Sequence, residues 1–124
     1  MTSGSVTDRD HEAAGQVIDL AAGIVRVTGD RDMFNRVLAR FRDAFQDTPA
    51  AVRAALREGD REHAHRLTHT LKGAAGMIEA TVLQAAALRL EERLRGASAE
   101  WERELEGVDE ELGKVLQAID TLLA

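Results

Sequence analysis

The chain has 124 residues, a net charge of −6, four histidines, one proline, one tryptophan, three phenylalanines, and neither cysteine nor tyrosine. That length suits one domain with a single core. The missing cysteine excludes disulfides, thiolate metal sites and Cys nucleophiles, the acidic balance argues against a nucleic-acid binder, and so few aromatics leave no stacking platform for bases or sugars.

Ala, Leu, Glu, Arg and Gln dominate, apolar residues recur at helical spacing, and nothing alternates as a strand would. No apolar run approaches the roughly 18 residues of a membrane span, so no membrane contact is expected. Residues 1–13 open with MTSGSVTDRDHE, which lacks the apolar stretch of a signal peptide. They are expected to be disordered, with the folded domain over 14–124. The Cys-free composition fits a reducing cytoplasm, the expected location. Val17, Leu20, Ala21, Ile24 and Val27 mark a short first helix that ends at Thr28-Gly29. Asp30 is placed to cap the next, and its stripe runs Phe34, Leu38, Phe41, Phe45, Val52 and Leu56. The phase of that stripe survives Pro49, so one helix is expected over 30–58, bent or briefly broken at the proline.

Gly59 and Asp60 suit the end of that helix and the N-cap of the following one, expected over about 61–78. Thr81 with Gln84 fits a capping box. It opens a helix carrying Leu83, Ala87, Leu90 and Leu94 that stops near Gly96. Ser98 is placed to cap the last helix, with the stripe Trp101, Leu105, Val108, Leu112, Val115, Ile119 and Leu122. Short links between long amphipathic helices predict an all-α fold: an antiparallel four-helix bundle with an additional short N-terminal helix.

The helix over 61–78 holds the unusual stretch HRLTHTLKGAAGMIEA, residues 65–80. On a helical wheel Leu67, Leu71, Ala74 and Ile78 share one face, with Ala64 and Ala75 beside it. His69 lies nearly opposite, among Glu62, His65, Arg66, Lys72, Gly73 and Gly76, and is expected to face solvent. Two exposed glycines cost the helix roughly 1.5–2 kcal/mol relative to alanine. They are either drift that the helix tolerates or a bare surface that lets another protein's backbone approach. Lys72 is one turn beyond His69 on the same face. A cation there would neutralise an anionic group carried on the imidazole, a phosphoryl group above all.

The stretch THTLKGAAG closely resembles the signature of histidine-containing phosphotransfer (HPt) domains of bacterial phosphorelays, matching at His69-Thr70-Leu71-Lys72-Gly73-Ala74-Ala75. FRDAF in the preceding helix, REGD before the motif, and Ala87 with RLEERL after it are similar to the family too. Coverage runs over roughly residues 17–122, loosest in the last helix. The resemblance implies a helical bundle whose surface histidine takes a phosphoryl group from a receiver-domain aspartate and hands it to another receiver. By the same resemblance His69 is the phosphorylated residue, Lys72 steadies the phosphoryl group, and Gly73 leaves room for the receiver. His65, Arg66 and Gly76 extend the docking surface. The implied partners are response-regulator receiver domains and a hybrid sensor histidine kinase. The Mg²⁺ sits on the receiver, the protein has no cofactor of its own, and it is expected to be a monomer. Met77 and Glu79 depart from the family, which often has Asn and Gly at these places.

Histidine suits this chemistry because neutral imidazole is a good nucleophile near pH 7. A group accepting a hydrogen bond from its second nitrogen would fix the tautomer. If the chain turns at 79–81 and runs back antiparallel, the level of His69 is reached again near residue 91, which makes Glu91 the candidate orienting acceptor. No phosphate-binding loop or Gly-rich nucleotide loop is present, so the expectation is a phosphocarrier that neither binds ATP nor phosphorylates itself. Between Asp60 and Ile78, Arg61, Arg66 and Lys72 outweigh Asp60 and Glu62, which suits an acidic partner.

Three other readings compete. His65 and His69 form H-x-x-x-H, a metal-binding spacing, but Arg66 follows His65 where a metallohydrolase has Glu, so no metal is expected. The phosphoacceptor helix of a histidine kinase normally has an acid after the His and a nearby proline, whereas Thr70-Leu71-Lys72 follow here. A helical interaction bundle that docks signalling proteins without phosphotransfer is the remaining alternative.

Overall fold

The computed structural model describes residues 7–96 and 99–124. Among these, all regular structure is helical: α1 (Asp8–Val17), α2 (Leu20–Arg26), α3 (Arg31–Phe45), α4 (Thr48–Arg57), α5 (Arg61–Met77), α6 (Thr81–Arg95) and α7 (Glu102–Leu123). Residues 1–6 and Ser98, the expected cap of the last helix, lie outside the described residues.

Several expected boundaries move, each for a local reason. Residues 8–13 are helical rather than disordered, because Thr7 and Asp10 form a reciprocal capping box that satisfies two N-terminal amides of α1. The first apolar run is split in two: Ile18 leaves the helical region and Asp19 caps α2 through the Ala22 amide. The break in the 30–58 segment comes before Pro49, at residues 46–47, and the proline occupies the first turn of α4, where its missing N–H costs nothing. Thr81 is the first residue of α6 rather than its cap. Ala80 takes the N-cap place and no side chain caps that end.

Helix α5 packs on α4 and α6, α6 packs on α7, and α7 is also covered by α1, α3 and α4. The core runs through all of them: Ile18, Phe34, Leu38, Leu71, Ile78, Leu83, Leu90, Leu105 and Ile119 are essentially inaccessible to water. Each such side chain contributes about 1.5–3 kcal/mol of burial. The approach of α2 to α3 depends on Gly23, where a Cβ would sit 2.2 Å from the Phe34 ring. Along α5 the buried line is Ala64, Thr68, Leu71 and Ala75, while Leu67 and Ala74 are half-buried. The core face is thus turned about one residue from the expected stripe. Thr68 is admitted because its hydroxyl donates to the Ala64 carbonyl at 2.9 Å.

Helices α5 and α6 run antiparallel. At one end Arg61 donates to the Leu94 and Arg93 carbonyls, both at 2.9 Å, and closes the last turn of α6. At the other end the chain reverses through a Schellman turn: the Glu79 amide donates to the Gly76 carbonyl at 3.1 Å and the Ala80 amide to Ala75 at 2.9 Å. The end of α4 is built the same way around Gly59, at φ 79°. In the α5–α6 turn the left-handed residue is Glu79, at φ 63°, a conformation that costs a non-glycine residue about 1–2 kcal/mol. Two contacts from α2 hold it there. Arg26 Nε and Nη2 both donate to Glu79 Oε1, the former at 2.9 Å, and the Asp19 amide donates to the Glu79 carbonyl at 3.2 Å.

The turn therefore carries strain that α2 offsets. Glu79→Gly introduced into an Arg26→Ala background, where the ion pair is already gone, should stabilise the protein by about 1 kcal/mol in urea unfolding. The same substitution in the unaltered chain should gain measurably less.

Candidate functional site

The site lies on the seam between α5 and α6. Glu91 has no solvent-exposed surface, yet its carboxylate is surrounded by donors. His69, one face of α5 away from the core, keeps 63% of its side chain exposed and turns Nδ1 onto Glu91 Oε2. Lys72, one turn on, donates from Nζ to Glu91 Oε1 at 2.6 Å and is only 24% exposed. His65, one turn before His69, lies with its ring stacked at 6.4 Å from that of His69 and its Nε2 3.8 Å from Glu91 Oε2. Arg95, one turn past Glu91 on α6, holds a guanidinium nitrogen 3.9 Å from Oε1.

Burial alone would raise the Glu91 pKa. Hydrogen bonds from Lys72 and then His69, with their charges, outweigh it and hold the carboxyl below its ordinary value of 4.5. Glu91 is therefore an anion at neutral pH. An anionic acceptor at Oε2 requires the His69 proton to be on Nδ1, which leaves the Nε2 lone pair directed away from Glu91 and available to a reactant. The pair thus presents a nucleophilic nitrogen of defined tautomer on an open surface.

The other residues singled out in the sequence fall differently. Gly73 is exposed, and an added Cβ would meet nothing within 4 Å. Gly76 is half-buried: a Cβ there would come within 2.3 Å of Gln84 Nε2, the mobile end of a side chain that reaches over the glycine from α6 and would have to shift. Arg66 is 60% exposed and pairs with Glu62 at 3.1 Å. His65 is only 31% exposed and is turned into the site rather than outward. Arg95 is not among the expected site residues and Gln84 is expected only in a capping box, although both share the face of α6 that carries Glu91, four residues after it and seven before. Among the described residues, no group of three His, Asp or Glu side chains is placed to hold a metal ion, and no helix is long and apolar enough to cross a membrane.

The family model of the Hpt domain matches residues 36–122. The chain belongs to the Hpt-domain family. Hpt domains are phosphocarriers of two-component phosphorelays, passing a phosphoryl group by way of a histidine in exchange with receiver domains and kinases. The match starts within α3, so α1 and α2, including the Arg26 that braces Glu79, lie outside it. No curated protein and no solved structure matches the chain.

Two measurements follow from this geometry. Because the folded-state pKa of Glu91 is lowered, its stabilising contribution is complete above the unfolded value near 4.5 and is lost as pH falls through the lower folded value. Glu91→Gln should flatten the corresponding part of the stability–pH profile below about pH 4.5. Gly73→Ala should stabilise the fold by about 0.5–1 kcal/mol in chemical denaturation, since it improves helix propensity and meets no neighbour.

Proposed function

We propose that this Hpt domain accepts a phosphoryl group on His69 Nε2 from a receiver-domain aspartyl phosphate and passes it to the aspartate of another receiver. The observation that supports this reading best is the union of an exposed imidazole with a buried anionic acceptor on its other nitrogen. In the forward step the Nε2 lone pair forms the N–P bond as the bond from phosphorus to the aspartyl oxygen breaks, and the carboxylate leaves with that electron pair. The ring becomes cationic, and its Nδ1–H keeps its hydrogen bond to Glu91, which disperses the charge. The return step reverses each of these changes. The transition state is loose, so the chain's contribution is orientation and electrostatics. Mg²⁺ is supplied by the receiver.

In this reading Glu91 orients the ring, Lys72 moves from Glu91 to the phosphoryl oxygens, and Gly73 leaves a bare strip beside His69 for the receiver's backbone. Arg66 belongs to the rim. We read α3–α4, α5, α6 and α7 as the antiparallel four-helix bundle, with α1 and α2 as N-terminal additions. The partners are a hybrid sensor kinase and response-regulator receivers, the protein acts in the cytoplasm as a monomer, and it has no autokinase activity. An interaction bundle without phosphotransfer would have no need of a tautomer-fixing carboxylate at an exposed histidine.

Incubation with a phosphorylated receiver domain and Mg²⁺ should place acid-labile, alkali-stable label on the chain, and His69→Gln should abolish it. Label that persists in His69→Gln would move the site elsewhere, and no label from any of several receivers would leave the interaction bundle as the function. Glu91→Ala should slow transfer by at least about tenfold, while Glu91→Gln, which still accepts from Nδ1–H but carries no charge, should fall between.

A further inference from the structure

The Lys72 ammonium is a single point charge, and in this structure it lies on Glu91. Its Nζ is bonded to Glu91 Oε1 at 2.6 Å, whereas a phosphoryl group on Nε2 would project from the far side of the His69 ring, because Nδ1 is the nitrogen that meets Glu91. When Lys72 turns to the phosphoryl oxygens, Glu91 loses its strongest partner and remains a buried anion with one donor. A second donor is already in place. His65 Nε2 is buried, has no hydrogen-bond partner, and stands 3.8 Å from Glu91 Oε2. A buried ring nitrogen without a partner is uncommon, and a small rotation of the side chain would bring it within bonding distance of the carboxylate.

We infer that His65 is a positioning residue of this site: it takes over Glu91 when Lys72 leaves the carboxylate for the phosphoryl group, so that His69 stays oriented in both states. The inference rests on the reading of His69 as the phosphorylated residue. In the resting state Lys72 neutralises Glu91 and His65 waits beside it. In the loaded state His65 takes a proton from solvent and donates from Nε2 to Glu91, replacing the charge that Lys72 removed. Its surroundings set how readily it does so. From α6 it faces Glu91 and Arg95, beside apolar Leu94, and from its own helix Arg61, Glu62 and His69. Glu62 and Glu91 favour the protonated ring and the two arginines oppose it. Arg61 is held on the α6 carbonyls of Arg93 and Leu94, and Arg95 lies toward the other carboxylate oxygen. Oε2 is thus left to the two histidines.

The test is an NMR pH titration of the imidazole rings in the full chain. Lys72→Met removes the ammonium without any phosphoryl chemistry. The His65 ring should then titrate about one pH unit higher than in the unsubstituted protein, and a proton should become visible on Nε2. Lys72→Gln should give the same result, which separates charge loss from altered packing. Adding Glu91→Gln to either variant should cancel the change. A His65 titration that is unmoved in both Lys72 variants overturns the inference. Phosphorylating the unsubstituted protein with phosphoramidate should shift His65 in the same direction as phosphohistidine forms. Phosphohistidine without a shift of His65 overturns the inference and leaves the phosphocarrier reading standing. A shift in the Lys72 variants with no phosphohistidine from any donor sinks the phosphocarrier reading and leaves the coupling of His65 to Glu91 intact.

Discussion

The site depends on one buried carboxylate. Glu91 is the only acidic residue among the described ones that is fully buried, and it lies where α6 faces α5. A charge in that position is tolerated only when it is matched: removing a partner from a buried ion pair costs about 3–5 kcal/mol, while an apolar residue of similar size is often neutral or stabilising. Leucine would therefore have served the fold equally well. What Glu91 adds is direction. It draws His69 and Lys72 from successive turns of α5 onto one point, sets the proton on Nδ1, and turns an exposed surface histidine into a ring with a defined reactive nitrogen. It also opposes slippage of α5 against α6, because a shift by one turn would leave the carboxylate without its two donors.

The seam is closed at both ends, by hydrogen bonds at one and by side-chain packing at the other. Arg61 seals the C-terminal carbonyls of α6 from one side, and Gln84 folds over Gly76 on the other. Beyond Gly76 the chain turns back at Glu79, in the backbone conformation that Gly59 adopts without strain at the end of α4. Arg26 and the Asp19 amide make the acidic residue workable there. This gives α2 a structural role although it lies outside the matched family segment: it braces the turn that fixes the relative height of α5 and α6, and so the pairing of His69 with Glu91.

The two glycines of the motif differ in the space around them. Gly73 is exposed and a Cβ there would have no neighbour, so its helix penalty is offset by no contact within the chain. Gly76 is covered by the Gln84 side chain from α6. Their positions on a helical wheel differ by only about 60°, and that difference decides which of them is covered.

Much of the site could be read from residue order, because helical periodicity is a local property. The exposure of His69 and the place of Lys72 one turn away follow from 3.6 residues per turn, the caps at Asp30 and Asp60 from their side-chain acceptors, and Glu91 at the matching height on the returning helix from 1.5 Å per residue and a turn near 80. The resemblance in THTLKGAAG pointed to phosphotransfer, and the family match agrees. Other features needed the tertiary structure. Burial of Thr68 in place of Leu67 depends on the direction from which α6 and α4 approach α5. The covering of Gly76, the pairing of Arg26 with Glu79 across 53 positions, and the turning of His65 toward Glu91 are contacts between separate helices, and no periodicity within one segment encodes them. Periodicity determined which face of α5 meets water; only the packing of its neighbours decided which groups on that face are held, covered or left open.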